Sequence, residues 1–137
     1  MLATSGEEGL RIIIVEDDNS LSGLLGEILR HEGYSVVTVG LAERALDALA
    51  AERFNLMILD LGMPRGAMDG MELLARIREI QDWKGLPVII MSGYGNLINP
   101  DVTERLRVSA VLSKPLRDLD ELVVLVQNII GSAPARS

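Results

Sequence analysis

Four short apolar runs in this chain end on residues of complementary chemistry. Ile12-Ile13-Ile14-Val15 runs into Glu16 and Asp17, Leu56-Met57-Ile58-Leu59 into Asp60, Val88-Ile89-Ile90-Met91 into Ser92, and Val111-Leu112 into Ser113 and Lys114-Pro115. Acids, a hydroxyl and an ammonium are the parts of a phosphoryl-transfer site: a carboxylate to attack, carboxylates to hold a cation, and donors for the phosphoryl oxygens. An ordinary core strand needs none of these endings. Three acids brought together repel one another and take up protons unless a cation compensates them. Magnesium suits such a site, because it takes one or two carboxylates and completes its shell with water and phosphate oxygens.

These residues can meet only if the runs are neighbouring strands. The sequence alternates β-branched runs with amphipathic segments, the pattern of βα units around a parallel sheet. Strands are expected near Arg11–Val15, Ser35–Val39, Asn55–Leu59, Val88–Met91 and Ala110–Ser113. The central ones are apolar on both faces, as a sheet covered by helices on both sides requires.

The first helix is expected over about Asn19–His31, capped by Asn19 or Ser20, with Leu21, Leu24, Leu25, Ile28 and Leu29 as its buried stripe and Gly33 beyond its end. The second spans about Ala42–Glu52. The third starts near Asp69-Gly70 and turns Met71, Leu74, Ile77 and Ile80 inward. Pro100 after Asn99 starts a short fourth helix reaching about Arg107, and a fifth covers about Asp118–Ile130 until Gly131 stops it. Ligands of open parallel sheets bind outside the carboxyl ends of the strands, where strand order reverses. With order 2-1-3-4-5, Glu16, Asp17 and Asp60 share one pocket flanked by Ser92 and Lys114.

The 137 residues are enough for one domain with a single core. Nearly half are hydrophobic and few are aromatic, so that core is aliphatic. A net charge of −7 without a basic run argues against nucleic acid or anionic lipid as partner and favours a protein. The chain has no cysteine, which removes disulfides and thiolate metal sites and is compatible with a cytoplasmic location. No segment approaches the roughly 20 apolar residues of a membrane span. Residues 1–9 read as a disordered or extended N-terminus, 10–131 as the domain and 132–137 as a frayed tail.

The motifs together resemble the receiver domain of two-component response regulators: Val15-Glu16-Asp17-Asp18, Leu59-Asp60-Leu61-Gly62-Met63-Pro64, Met68-Asp69-Gly70, Met91-Ser92-Gly93-Tyr94 and Leu112-Ser113-Lys114-Pro115. The resemblance covers about residues 10–131 and implies a flavodoxin-like, doubly wound α/β fold, with a five-stranded parallel sheet in order 2-1-3-4-5 and five helices on its two faces. It implies that Asp60 takes a phosphoryl group from phosphohistidine on a histidine kinase or histidine phosphotransfer protein. Magnesium would be held by Asp17, Asp60 and the Gly62 backbone carbonyl, with Glu16 acting through water, while Ser92 and Lys114 meet the phosphoryl oxygens and Lys114-Pro115 is cis. Such a domain is no enzyme toward other substrates; it catalyses its own phosphorylation and dephosphorylation. It signals to a downstream protein target, as a single-domain regulator or as the receiver of a hybrid kinase.

The chain departs from the family pattern in places. Val111 stands where the family usually has an aromatic switch residue, so the resemblance does not carry signalling by ring rotation over to this position. Tyr94 is a candidate substitute, and Gly62 and Tyr94 hold positions that in the family modulate access of water to the phosphoaspartate. The loop Pro64–Gly70 looks about two residues longer than usual in the family, with Arg65 facing solvent, and the fourth helix looks late and short. Excess apolar residues on the last helix, Val124 and Leu125 among them, suggest a homodimer or partner surface. His31 at a helix end reads as structural.

Each motif alone has a plainer reading: a solvated turn for Glu16–Asn19, turn formers for Asp60 and Ser92, a snorkelling lysine for Lys114. Two other functions share the topology. A flavin-binding domain needs a phosphate cradle after the first strand, where this chain places acids. A metal-dependent phosphatase wants a second acid two residues beyond its nucleophile, where this chain has Gly62.

Overall fold

The computed structural model describes residues 9–63, 68–93 and 99–133. In chain order the elements are β1 (Arg11–Val15), α1 (Asn19–His31), β2 (Ser35–Val39), α2 (Ala42–Ala51), β3 (Leu56–Asp60), α3 (Gly70–Glu79), β4 (Val88–Ser92), α4 (Pro100–Arg105), β5 (Ala110–Ser113) and α5 (Leu119–Ile130). The strands form one parallel sheet in the order β2-β1-β3-β4-β5. Fold class and strand order are those expected from the sequence.

Successive strand residues point to opposite faces, so each central strand feeds two cores. Ile13, Val15, Met57, Leu59, Val88 and Ile90 pack with Ala45 and Leu49 of α2 and Leu73, Leu74 and Ile77 of α3. Ile12, Ile14, Ile58, Ile89 and Met91 pack on the other face with Leu25 and Leu29 of α1 and Leu122 and Val126 of α5. At about 1.5–3 kcal/mol per fully buried aliphatic side chain, β1, β3 and β4 contribute a large share of the burial, and the chain leaves the sheet from their carboxyl ends.

Several local expectations are corrected. Asp18, not Asn19 or Ser20, caps α1: its carboxylate accepts from the backbone N–H groups of Ser20 and Leu21 at 2.9 and 3.2 Å. Leu24, placed in the buried stripe, is 45% exposed, because Ser22, Leu25, Gly26 and Leu29 are the residues that turn inward. On α3 the buried line is Gly70, Leu73, Leu74 and Ile77, leaving Met71 and Ile80 half-buried. The true stripe follows i, i+3, i+4, i+7, with a glycine as its first member. Helix α4 stops at Arg105 rather than near Arg107, since Arg107 takes a left-handed φ of 55° that no helix continues through. On α5 the outward placement of Val124 holds: it is 52% exposed, and only Leu122 and Val126 are fully covered.

Tyr94, Arg65, the other loop residues Pro64, Gly66 and Ala67, and most of the expected terminal segments lie outside the described residues.

Candidate functional site

The acids, hydroxyl and lysine singled out by type reach the carboxyl edge of the sheet. Glu16 and Asp17 follow β1, Asp60 and Ser92 close β3 and β4, and Lys114 follows β5. β1 is flanked by β2 on one side and β3 on the other, so the chain reverses its order of travel at the β1–β3 boundary. The acids stand at that boundary, at the place where parallel sheets bind ligands.

Glu16 and Asp60 are 1% and 2% exposed, whereas Asp17 faces solvent. Carboxylate oxygens of all three lie within 4.8 Å of one another. The Lys114 Nζ reaches across from β5 to Glu16 Oε1 at 3.0 Å and to Asp60 Oδ2 at 3.3 Å. The other oxygen of each buried acid is met by backbone: Asp18 N–H donates to Glu16 Oε2 at 3.0 Å, and Gly62 N–H to Asp60 Oδ1 at 2.9 Å. Buried charge is tolerated here because it is both paired and hydrogen-bonded.

Lys114 is itself aimed by its backbone. Its N–H donates to the Ser92 carbonyl at 2.8 Å, continuing the β4–β5 ladder by one bond, and Lys114-Pro115 is cis. Leu61 N–H donates to the Met91 carbonyl at 3.0 Å, extending β3 alongside β4 in the same way. The reacting groups are thus carried on short extensions of buried strands.

The electrostatics follow. Burial pushes the Glu16 carboxyl above the usual glutamate range; the Asp18 N–H and the Lys114 bond oppose this without cancelling it, and the charge of Asp60 adds to the rise. Burial works against the Lys114 ammonium, yet hydrogen bonding to Glu16 and the charges of Asp60 and Glu16 outweigh it, and its pKa lies above that of a free lysine. A hard divalent cation fits this donor set: oxygen ligands only, two carboxylates fixed by hydrogen bonds and one, Asp17, open to solvent.

Sequence reasoning missed two contacts, Glu16 with Lys114 and Gly62 N–H with Asp60. The first joins residues 98 apart, and no local pattern signals it. The second is a side-chain-to-backbone turn of the kind aspartate often makes two residues on, so the Asp60-Leu61-Gly62 spacing was its available signal. Val111 lies exposed on β5, beside a cavity of about 450 Å³ that Pro115, Arg117 and Glu121 also line. Trp83 lies at the opposite end of the sheet, in a cavity of about 730 Å³ with Leu10, Asn55 and Pro87. Among the described helices none is long and apolar enough to cross a membrane.

Comparison with known proteins bears on this geometry. Residues 12–127 match the response regulator receiver domain. The chain is 38% identical over 125 residues to the transcriptional regulatory protein GlrR of Escherichia coli strain K12, a match that covers 90% of this chain and 27% of that protein. It therefore spans about a quarter of the length of that relative. It is 35% identical over 112 residues to sporulation initiation phosphotransferase F of Bacillus subtilis strain 168, covering 82% of this chain and 86% of that one. The crystal structure of the receiver domain of NtrX from Brucella abortus superposes with a TM-score of 0.78 at 28% identity, over 87% of this chain and 97% of that one. With a carboxyl edge that gathers acids, hydroxyl and lysine at the switch point of a 2-1-3-4-5 sheet, the chain belongs to the response regulator receiver domain family of two-component systems.

Proposed function

We propose that Asp60 is the phosphoacceptor of a two-component or phosphorelay pathway, taking its phosphoryl group from phosphohistidine on a histidine kinase or a histidine phosphotransfer protein. The observation that carries this reading is the hold on Asp60: Gly62 N–H at 2.9 Å on Oδ1 and the Lys114 ammonium at 3.3 Å on Oδ2. One oxygen is fixed by backbone. The other is paired with a group that can follow charge onto a neighbouring atom.

Asp60 Oδ2 attacks phosphorus as the bond to the donor imidazole nitrogen breaks, and the electron pair of that bond leaves with the imidazole. Lys114 then meets a phosphoryl oxygen in place of the carboxylate, with Glu16 retaining the other side of the ammonium. The Ser92 hydroxyl donates to a second phosphoryl oxygen. Bound by Asp17, Asp60 and the Gly62 carbonyl, with Glu16 acting through water, magnesium would offset the carboxylate charge and share the phosphoryl oxygens. Catalysis is positioning and electrostatics, since phosphoryl transfer asks little else of the protein. Attack of water on the same phosphorus breaks its bond to Asp60 Oδ2, releases inorganic phosphate and returns the carboxylate to its free form, so the domain limits its own signal.

The output is a protein contact, with the exposed Val111 and the outer side of α5 around Val124 as its surface and a homodimer through α5 as one form of it. The setting is cytoplasmic. The test is incubation with acetyl phosphate and magnesium: label appears on Asp60, Asp60→Asn abolishes it, and Asp17→Asn slows it. Label surviving Asp60→Asn overturns the assignment, and a rate independent of Asp17 removes that residue from the site.

A further inference from the structure

Gly70 opens α3 and lies directly against the turn that follows β3. A Cβ placed on it would stand 3.0 Å from the Asp60 carbonyl oxygen, 3.1 Å from Leu61 Cδ2 and 3.3 Å from Leu61 Cα. Two of these three atoms are backbone and cannot swing away. Accommodating a methyl group means moving either the turn or the helix by a few tenths of an ångström.

Both sides are held. Asp60 ends a strand buried along its whole length, and Leu61 N–H is bonded to Met91 of β4. Helix α3 is fixed by Leu73, Leu74 and Ile77 in the core, and its first turn by a capping box in which Asp69 accepts from Glu72 N–H at 2.8 Å while the Glu72 side chain accepts from Asp69 N–H at 3.0 Å. The bare Cα of Gly70 lets this rigid helix start press on the Asp60–Leu61 backbone without intervening side chain. The next peptide is that of Gly62, whose N–H holds Asp60 Oδ1.

We infer that Gly70 is a positioning residue for the phosphoacceptor turn: by letting α3 seat against Asp60 and Leu61, it sets where the Gly62 amide and carbonyl stand relative to the Asp60 carboxylate. This role rests on the phosphoacceptor reading. Its consequence is separable from stability, because a displaced Gly62 peptide alters cation binding in the unphosphorylated protein, before any transfer occurs. Groups that orient metal ligands change affinity by about 10–100-fold when disturbed.

The experiment uses the full chain with magnesium alone, titrated by calorimetry, with the Gly62 amide followed by NMR. Gly70→Ala is expected to bind magnesium about tenfold more weakly, at the low end of that range, and to shift the Gly62 amide resonance. Gly85→Ala, with nothing within 4 Å of the added Cβ, should match the wild type. Ile77→Val, which loosens the core under α3 without touching the turn, should lower the thermal midpoint and leave magnesium affinity alone. Wild-type affinity together with an unmoved Gly62 resonance in Gly70→Ala overturns the role. If Gly70→Ala does not fold, Leu61→Ala loosens the same contact from the turn's side; weaker magnesium binding supports the role and unchanged binding overturns it. A wild-type chain that takes no label on Asp60 overturns the phosphoacceptor reading, and this role with it. A wild-type chain that labels normally beside an indifferent Gly70→Ala overturns the role alone.

Discussion

Replacing Lys114 with methionine keeps the length of the side chain and removes its charge. In the resting site the ammonium stands 3.3 Å from Asp60 Oδ2, and after attack a phosphoryl oxygen takes over that pairing. At an effective dielectric of about 20, unit charges at that separation attract by about 5 kcal/mol. The Lys114 side chain is 24% exposed, so water screens part of this; since the lysine already pairs with Asp60 at rest, only the part that grows as charge moves onto the phosphoryl oxygen counts toward the rate, and the effect of removing one preorganised donor, about 10²–10³-fold, sets the scale. Labelling of Lys114→Met by acetyl phosphate, followed by mass spectrometry at saturating magnesium, is therefore expected to be slower by roughly two orders of magnitude. Magnesium affinity should move the other way or not at all, because a cation joining Glu16, Asp17 and Asp60 no longer meets a competing positive charge. A variant labelled at the wild-type rate refutes the reasoning. So does a variant that is slow only at limiting magnesium, since the lysine would then be acting through the metal site rather than on the phosphoryl group.

Three further outcomes are expected. Arg107→Gly removes the cost of a left-handed non-glycine residue, about 1 kcal/mol, at φ 55°; the exposed bond it gives up to the Lys84 carbonyl returns only part of that, so the urea midpoint should rise, and a fall would show the side chain to matter more than the strain. Asp18→Ala should lower stability by about 1 kcal/mol by loss of the α1 cap, whereas Asn19→Ala should be close to neutral; equal losses in chemical denaturation would return the cap to Asn19. The raised pKa of Lys114 means its charged form is favoured by folding, so its stabilisation is complete below the ordinary lysine pKa and fades as pH rises through the higher folded value. The stability difference between wild type and Lys114→Met should accordingly shrink as pH rises through that value, and a difference that stays constant through that range would show the ion pair to be energetically silent.

Much of the fold was legible because its signals are local. Runs such as Ile12–Val15 and Val88–Met91 read as buried strands, and the segments between them carry helical periodicity, so element order and sheet class followed without distance information. Errors appeared where one residue competes with its neighbours for a role. Asp18 rather than Asn19 or Ser20 is the cap: its backbone N–H is held by Glu16, and its carboxylate accepts from the N–H groups of Ser20 and Leu21. Leu24 matches the buried stripe in apolar character, but Ser22 and Gly26 are the residues buried beside Leu25 and Leu29 on that helix. On α5 the expectation held: Val124, read from the excess of apolar residues as lying on the outer side, is exposed.

For the site, the chemical inventory and its place at the strand ends came from residue types at the termini of apolar runs. A run that must stay in the core can end on a charge only where the chain leaves the sheet. Which oxygen meets which donor came from tertiary contact alone. Lys114 and Glu16 are 98 residues apart, and they meet because β5 and β1 end at the same edge of one twisted sheet. The close seat of Gly70 on Asp60 and Leu61 depends on how α3 packs, a matter of tenths of an ångström in a rigid core that no periodicity encodes. Residue type and order state what the site contains; only three-dimensional packing sets the distances at which those groups act.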